Sequence, residues 1–357
     1  MFYIMFFLII TLILIFYYVI KRLLKLSFIK NINSKLLRFV ISILPFLSIF
    51  IIFNYINSLV IIIHLAIFLV LSNFIFFVFK KISKKEVDYD YKVILGIILT
   101  IIYLSYGAYL NYHVYNTYYE IETSKEIGNN FRIIQISDSH IGTTFDGDGL
   151  KKHMEKIKDI ESDIVVITGD FVDDDTKKDD MLKGVEALTI LKPKYGIYYI
   201  NGNHDKGYFN YRNFTYEELK NELEKNNIKV LEDEGVLIND YIYLIGRNDK
   251  SDLNRKSISE LVENIDKNKY IIDLNHQPND YENEKNKVDL VLSGHTHGGQ
   301  LFPLGYIGTL IDANDEFYGL HKRNNTYFIV NSGISDWAID FKTGTFSEIG
   351  IIDIKNK

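Results

Sequence analysis

His295 and His297 sit between Gly294 and the triplet Gly298-Gly299-Gln300, directly after the apolar run Val288-Asp289-Leu290-Val291-Leu292. Two imidazoles two positions apart, flanked by glycines that permit positive φ, can be brought toward one point, an arrangement suited to holding a metal. A lone His-x-His says little, because histidines also satisfy ordinary polar cores. Four further groups strengthen it: Asp138-Ser139-His140, Gly169-Asp170-Phe171-Val172-Asp173, Gly202-Asn203-His204-Asp205, and His276. The chain has no cysteine, so thiolate sites and disulfides are excluded and any metal must be held by oxygen and nitrogen.

Each group stands just past an apolar segment that reads as a strand. The segments are 131–136, 164–167, 196–200, 270–274 and 288–292. The carboxyl ends of the strands in an open α/β sheet line one edge, where ligand sites form, so five remote segments are expected to converge on one crevice. The intervening sequence alternates accordingly, with an edge strand over 118–123, a strand over 131–137, and helices over 149–161 and 178–191. Thr215-Tyr216-Glu217-Glu218 and Ser257-Ile258-Ser259-Glu260 read as capping boxes that open two more helices. Later strands are expected over 241–246, 326–331 and 347–354. The pattern predicts an α/β fold of packed layers with helices outside.

Charge is uneven along the 357 residues. Residues 1–112 carry 11 Lys+Arg and 3 Asp+Glu, or +8, which leaves −14 for residues 113–357. An acidic domain is a poor partner for polyanions, whose binding relies on Lys and Arg neutralising phosphates, so no nucleic acid is expected. The first part is mostly uncharged. About 20 apolar residues span a bilayer, and four helices are predicted, over about 2–20, 37–54, 58–79 and 93–112, with Asn54-Tyr55-Ile56-Asn57-Ser58 as the middle turn. The first lacks the basic start and small-residue cleavage site of a signal peptide and is read as retained.

Lys21, Arg22, Lys25, Lys30, Lys35 and Arg38 follow the first span; Lys80, Lys81, Lys84, Lys85 and Lys92 follow the third. Basic loops stay in the cytoplasm. Both termini, and with them residues 113–357, are therefore expected on the extracytoplasmic side of the cell membrane. His64, alone in the third span, is expected to serve packing or hydrogen bonding.

Taken in order, the five groups resemble the signature of the calcineurin-like metallophosphoesterase superfamily over roughly residues 116–354, and the Gly-Gly-Gln tail is similar to its membrane-associated bacterial branch. The resemblance implies a β-sandwich flanked by helices for residues 113–357. It implies one metal on Asp138, His140, Asp170 and His297, and a second on Asp170, Asn203, His276 and His295, with Asp170 bridging. Carboxylates, imidazoles and an amide oxygen suit Mn, Fe or Zn. A hydroxide shared by two cations about 3.5–4 Å apart would attack phosphorus in a phosphomonoester, phosphodiester or pyrophosphate. The resemblance gives His204 transition-state stabilisation or leaving-group protonation, and Asp205 beside it can fix the imidazole's tautomer.

Asp173 either orients a ligand or caps its own loop. Arg247 is expected to pair with Asp249, with a substrate phosphate as the other option; His113, His153 and His321 match no part of the signature. The family often carries an Arg near Ser332-Gly333, where this chain reads Val330-Asn331-Ser332-Gly333-Ile334. The expectation is a membrane-anchored phosphoesterase, with membrane lipid around it and a lipid-linked or envelope phosphoester as substrate. The alternative is a non-catalytic metal-binding sensor that regulates the membrane region, which the complete ligand set and His204 weigh against.

Overall fold

The computed structural model describes residues 2–208 and 211–357. The chain divides into two compact units, Met1–Gly107 and Ala108–Lys357.

The first unit is helical. It contains α1 (Phe2–Leu23), the short α2 (Ser27–Lys30), α3 (Lys35–Ile52), α4 (Tyr55–Ser83) and most of α5 (Tyr89–Tyr112). Four of these are long and apolar enough to cross a membrane, with mean hydropathies of 2.1, 2.1, 2.7 and 2.1 in chain order. Their contact with one another runs through Val19, Leu23, Phe46, Ile62, Ala66, Leu69 and Val93, while most other apolar side chains face outward. The turn between α3 and α4 is shorter than hydropathy suggests. Asn54 is an N-cap whose side chain accepts from Asn57 N at 2.8 Å, so residues 55–58 already belong to α4. His64 Nδ1 lies 2.8 Å from Val60 O and its ring stacks on Tyr103 at 5.5 Å, a packing role as expected.

Among its described residues the second unit carries twelve strands: β1 (Tyr115–Thr123), β2 (Phe131–Ile136), β3 (Ile164–Thr168), β4 (Ile197–Ile200), β5 (Ile228–Val230), β6 (Glu234–Leu237), β7 (Ile242–Gly246), β8 (Tyr270–Leu274), β9 (Leu290–Ser293), β10 (Gly319–Arg323), β11 (Thr326–Val330) and β12 (Glu348–Asn356). Its helices are α6 (Gly147–Ile157), α7 (Lys178–Leu188), α8 (Tyr216–Lys225), α9 (Ile258–Val262), α10 (Tyr281–Glu284) and α11 (Leu304–Leu310). Both capping boxes form, at Thr215–Glu218 and Ser257–Glu260. The helix expected from residue 149 starts at Gly147, because Asp146 caps it by accepting from Gly149 N at 2.7 Å. Asp179 and Asp180 lie in the first turn of α7, where carboxylates complement the helix dipole.

The strands form two six-stranded sheets, the sandwich that the resemblance implied. One has the order β1-β12-β2-β3-β4-β5, the other β10-β11-β9-β8-β7-β6. Alternation along each strand builds three layers of core. Ile133, Val166 and Ile200 face Leu244, Ile272, Leu292 and Ile329 between the sheets. Ile134, Val165 and Ile167 pack outward on Leu150, Met154, Val185 and Leu219 from α6, α7 and α8. Ile271, Val291 and Phe328 pack outward on Ile258 and Tyr281 from α9 and α10. The result is the helix-flanked β-sandwich.

Candidate metal centre

The two sheets end together at the site. β2, β3 and β4 of the first sheet run parallel and release Asp138-His140, Asp170-Asp173 and Asn203-His204 from their carboxyl ends. β8 and β9 of the second sheet, also parallel, release His276 and then His295-His297. Backbone bonds lace these loops: Asp138 N donates to Gly169 O (3.0 Å), His140 N to Asp170 O (3.1 Å) and Gly294 N to His276 O (2.9 Å). Across the sheets, His295 N donates to Asp138 Oδ1 at 2.9 Å.

All seven residues expected as ligands come together. Ligand atoms of Asp138, His140 and His297 lie within 4.8 Å of one another, and so do those of Asp170, His276 and His295. Asp170 Oδ2 stands between the two groups, 3.6 Å from His140 Nε2 and 3.1 Å from His276 Nε2. Asn203 Oδ1 is 3.2 Å from His276 Nε2, while its amide Nδ2 donates to Tyr208 Oη at 2.8 Å. That bond leaves the amide oxygen for the cluster.

The imidazoles are held by their far nitrogens. His276 Nδ1 lies 2.8 Å from Thr168 O, His140 Nδ1 3.2 Å from Asp173 Oδ2, and His297 Nδ1 3.2 Å from Ser335 O. An oxygen at one ring nitrogen fixes the tautomer and frees the other nitrogen for a cation. His140 Nε2 is buried and has no hydrogen-bond partner, and an orphaned buried polar atom facing a carboxylate cluster calls for a partner. The oxygen and nitrogen donors fit divalent transition metals.

Backbone conformation concentrates here. Asp138, His140, Asp170, His295 and His297 all have positive φ, between 35° and 70°. For non-glycine residues this costs on the order of 1 kcal/mol or more each and persists where surrounding structure enforces it. The histidines of the His-x-His step therefore adopt the left-handed conformation themselves. Gly294 has a different purpose from the one read in the sequence, since a Cβ there would overlap Ser137 Oγ and Asp138 Oδ2.

Asp205 does not orient His204. Its buried carboxylate accepts from the backbone N–H groups of Asp170 (2.8 Å), Phe171 (2.9 Å), Val172 (3.1 Å) and Gly202 (2.7 Å), and so clamps two ligand loops together. The partner of His204 is Asp173, with Oδ1 2.9 Å from His204 Nδ1. Asp173 thus serves two imidazoles, and it also accepts from Asp174 N at 2.7 Å, so both roles considered for it from sequence hold. Arg247 pairs with Asp280 (2.9 Å) and Glu284 (2.8 Å), remote in sequence, instead of Asp249.

Charge couples the cluster. Burial alone would raise the Asp170 carboxyl, but His276, His140 and His204 hold it well below the usual carboxylate range. Burial would lower His276, yet Asp170 raises it to about 10; its neighbour His295 is pushed down to about 4 by burial and by His276. For His204, burial is outweighed by Asp173 and Asp170, and its value rises.

Sequence reasoning missed Asp336 and Lys342. Both are fully buried, paired at 3.0 Å, and Asp336 Oδ1 lies 3.4 Å from His297 Nδ1. Lys342 Nζ also donates to Ser332 O at 2.6 Å, so a cation does occupy the region where the family's Arg was sought. Neither residue has a spacing signal. Trp337 and Tyr208, 5.7 Å and 5.1 Å from the His204 ring, were missed likewise.

A profile of calcineurin-like phosphoesterases matches residues 131–299. An Aquifex aeolicus protein named an uncharacterized metallophosphoesterase is 34% identical over 248 residues, 67% of this chain and 91% of that protein. A Bacillus subtilis protein of similar name is 30% identical, over 61% of this chain and 81% of its own length. A Danio rerio protein named "Transmembrane protein with metallophosphoesterase domain" is 29% identical over 74% of this chain and 63% of that protein. With these relatives and this donor cluster, the chain belongs to the calcineurin-like metallophosphoesterase family, metal-dependent hydrolases of phosphoric esters.

Proposed function

We propose that the chain is a membrane-anchored phosphoesterase of two domains, residues 1–112 and 113–357, whose catalytic domain works on the extracytoplasmic side with two divalent cations. Asp138, His140, Asp170 and His297 would hold one ion; Asp170, Asn203, His276 and His295 would hold the other. The observation that carries this reading is the position of Asp170 Oδ2, within 3.6 Å of an imidazole nitrogen from each group. Bound Mn, Fe or Zn would supply Lewis acidity toward a phosphoryl oxygen and lower the pKa of a water.

The chain's own residues then divide the work. Asp173 fixes the His204 ring through Nδ1, which leaves Nε2 as the atom able to hand a proton to the departing oxygen. His204 stands at the rim of the cluster, its side chain 13% exposed, where a substrate can reach it. Asp205, through four backbone N–H groups, keeps the Asp170 and Asn203 loops at fixed separation. A phosphoester on a lipid or envelope component suits an enzyme tethered by four apolar helices.

The test uses the full chain in detergent with a chromogenic phosphodiester. Chelation should abolish hydrolysis, and Mn or Zn should restore it at two ions per chain; hydrolysis that survives complete metal removal would sink the reading. Orientation is read separately, because the chain has no cysteine. Leu253→Cys, at a fully exposed position, should react with an impermeant maleimide on intact cells, and a protected thiol would reverse the topology.

A further inference from the structure

Next to the His-x-His turn, residues 301–311 run Leu-Phe-Pro-Leu-Gly-Tyr-Ile-Gly-Thr-Leu-Ile without a charge. α11 lies within this stretch. Leu304, Ile307 and Leu310 stand three residues apart on one helical face, and Ile311 continues it. All four are exposed, Leu310 by 82% and Ile311 by 68%, and Phe302 and Tyr306 are exposed beside them. Single surface leucines need no explanation, whereas a contiguous apolar patch marks an interaction surface.

The inner side of α11 is fastened to the ligand turn. A Cβ on Gly299 would come within 2.6 Å of Gly305 Cα, and one on Gly305 would overlap the Phe317 ring. Tyr306 meets Phe317 at 4.8 Å between centroids, and Thr296, between the two histidines, donates to Phe317 O at 2.7 Å. The apolar face is thus the outer surface of a helix packed against the turn that carries His295 and His297.

Its location within the second unit indicates what covers it. Phe302 N donates to Thr343 Oγ1 (3.1 Å), and Gly344 N donates to Gln300 O (2.9 Å). Three residues on, Ser347 N donates to Leu110 O (3.0 Å) and Ser347 Oγ to Asn111 O (2.8 Å), in the last turn of α5. One segment, residues 343–347, therefore holds both the apolar stretch and the end of a helix apolar enough to cross a membrane. Aliphatic side chains with Phe and Tyr, lacking charge, match the boundary between lipid headgroups and acyl chains.

We infer that the outer face of α11, with Phe302 and Ile311, inserts into the bilayer surface and brings the metal centre to the level of lipid phosphoesters. The inference rests on the membrane-anchored phosphoesterase reading for its substrate, and on the exposed face with its link to the end of α5 for docking. A cysteine-free chain allows a direct test on the full protein in phosphatidylcholine–phosphatidylglycerol vesicles. Leu310→Cys carrying an environment-sensitive fluorophore should be quenched by bromine on the lipid acyl chains and shielded from aqueous iodide. The same label on Leu253→Cys should show the reverse. Quenching of position 310 by iodide alone would overturn docking, and protection from both quenchers would assign the face to a second copy of the chain and overturn it equally.

The paired change Leu310→Asp with Ile311→Asp should lower hydrolysis of a vesicle-borne phospholipid phosphoester about tenfold or more. It should leave a soluble phosphodiester unaffected; equal loss on both substrates would count against docking. Lipid quenching at position 310 without any lipid hydrolysis would keep docking and remove the lipid-substrate reading, so the two failures are distinct.

Discussion

The two sheets bring different chemistry to the same place. The first delivers most of the carboxylates and the amide, through Asp138, His140, Asp170, Asp173, Asn203 and His204; the second delivers the imidazoles of His276, His295 and His297, with Asp336 behind His297. Their outer faces differ as well. The first sheet is backed by apolar helix packing around Leu150, Met154 and Val185, whereas behind the second Arg247 is buried against Glu284, Asp280 and Asp273. Charge neutralisation of bound cations would therefore fall mainly to the first sheet, while a buried ionic cluster lies behind the second. A site divided in this way depends on the sheets keeping their mutual position.

The strongest way to break this comparison is to remove the carboxylate that faces both groups. Asp170→Asn should cost on the order of 10⁴-fold in turnover and release metal, because in the proposed arrangement both cations would lose a ligand and a charge. His295→Ala, which removes one neutral donor, should cost less; the opposite ranking by metal analysis and kinetics would end the division. Arg247→Leu should destabilise by about 3–5 kcal/mol, since it strands buried carboxylates, while the folded fraction keeps its turnover. Thermal unfolding checks this, and a loss below about 1 kcal/mol would show that the cluster is not supporting the second sheet.

His204→Ala should lower turnover about 10²- to 10³-fold with metal content unchanged. Equal loss of metal and activity would make His204 a ligand. Asp173→Asn, acting through His140 and His204, should cost about 10- to 100-fold, and in the His204→Ala background it should cost less, which a double-mutant cycle reads directly. Thr215→Ala removes a cap on α8 behind the first sheet and should cost about 1 kcal/mol with no change in kinetics.

The candidate ligands were legible because carboxylates, imidazoles and glycines at strand ends have few other reasons to recur in that order. All seven fell into one cluster. The helices were legible where caps are local, as at Thr215 and Ser257. Partnership across the fold was not. Asp205 adjoins His204 in sequence but turns its carboxylate to backbone amides, while Asp173, 31 residues away, takes the imidazole. Arg247 passed over Asp249 for residues 33 and 37 positions on, since buried guanidinium needs carboxylates on the same face, which spacing does not reveal. β5, β6 and β10 went unseen because short, half-exposed edge strands lack a clear period. The sandwich was legible through the resemblance, but the strand order was not, because it includes pairings more than two hundred residues apart, such as β1 with β12.

One such pairing governs how the molecule can be made. β12, residues 348–356, lies between β1 and β2, and among the described residues β1 has no other strand beside it. During synthesis the strand that follows the fourth apolar helix waits, with both edges open, until more than two hundred further residues have left the ribosome. Loop closure over that distance is slow. The first sheet can consequently be completed only once translation has passed β12, which leaves the β1 edges exposed to pairing with other chains in the interval.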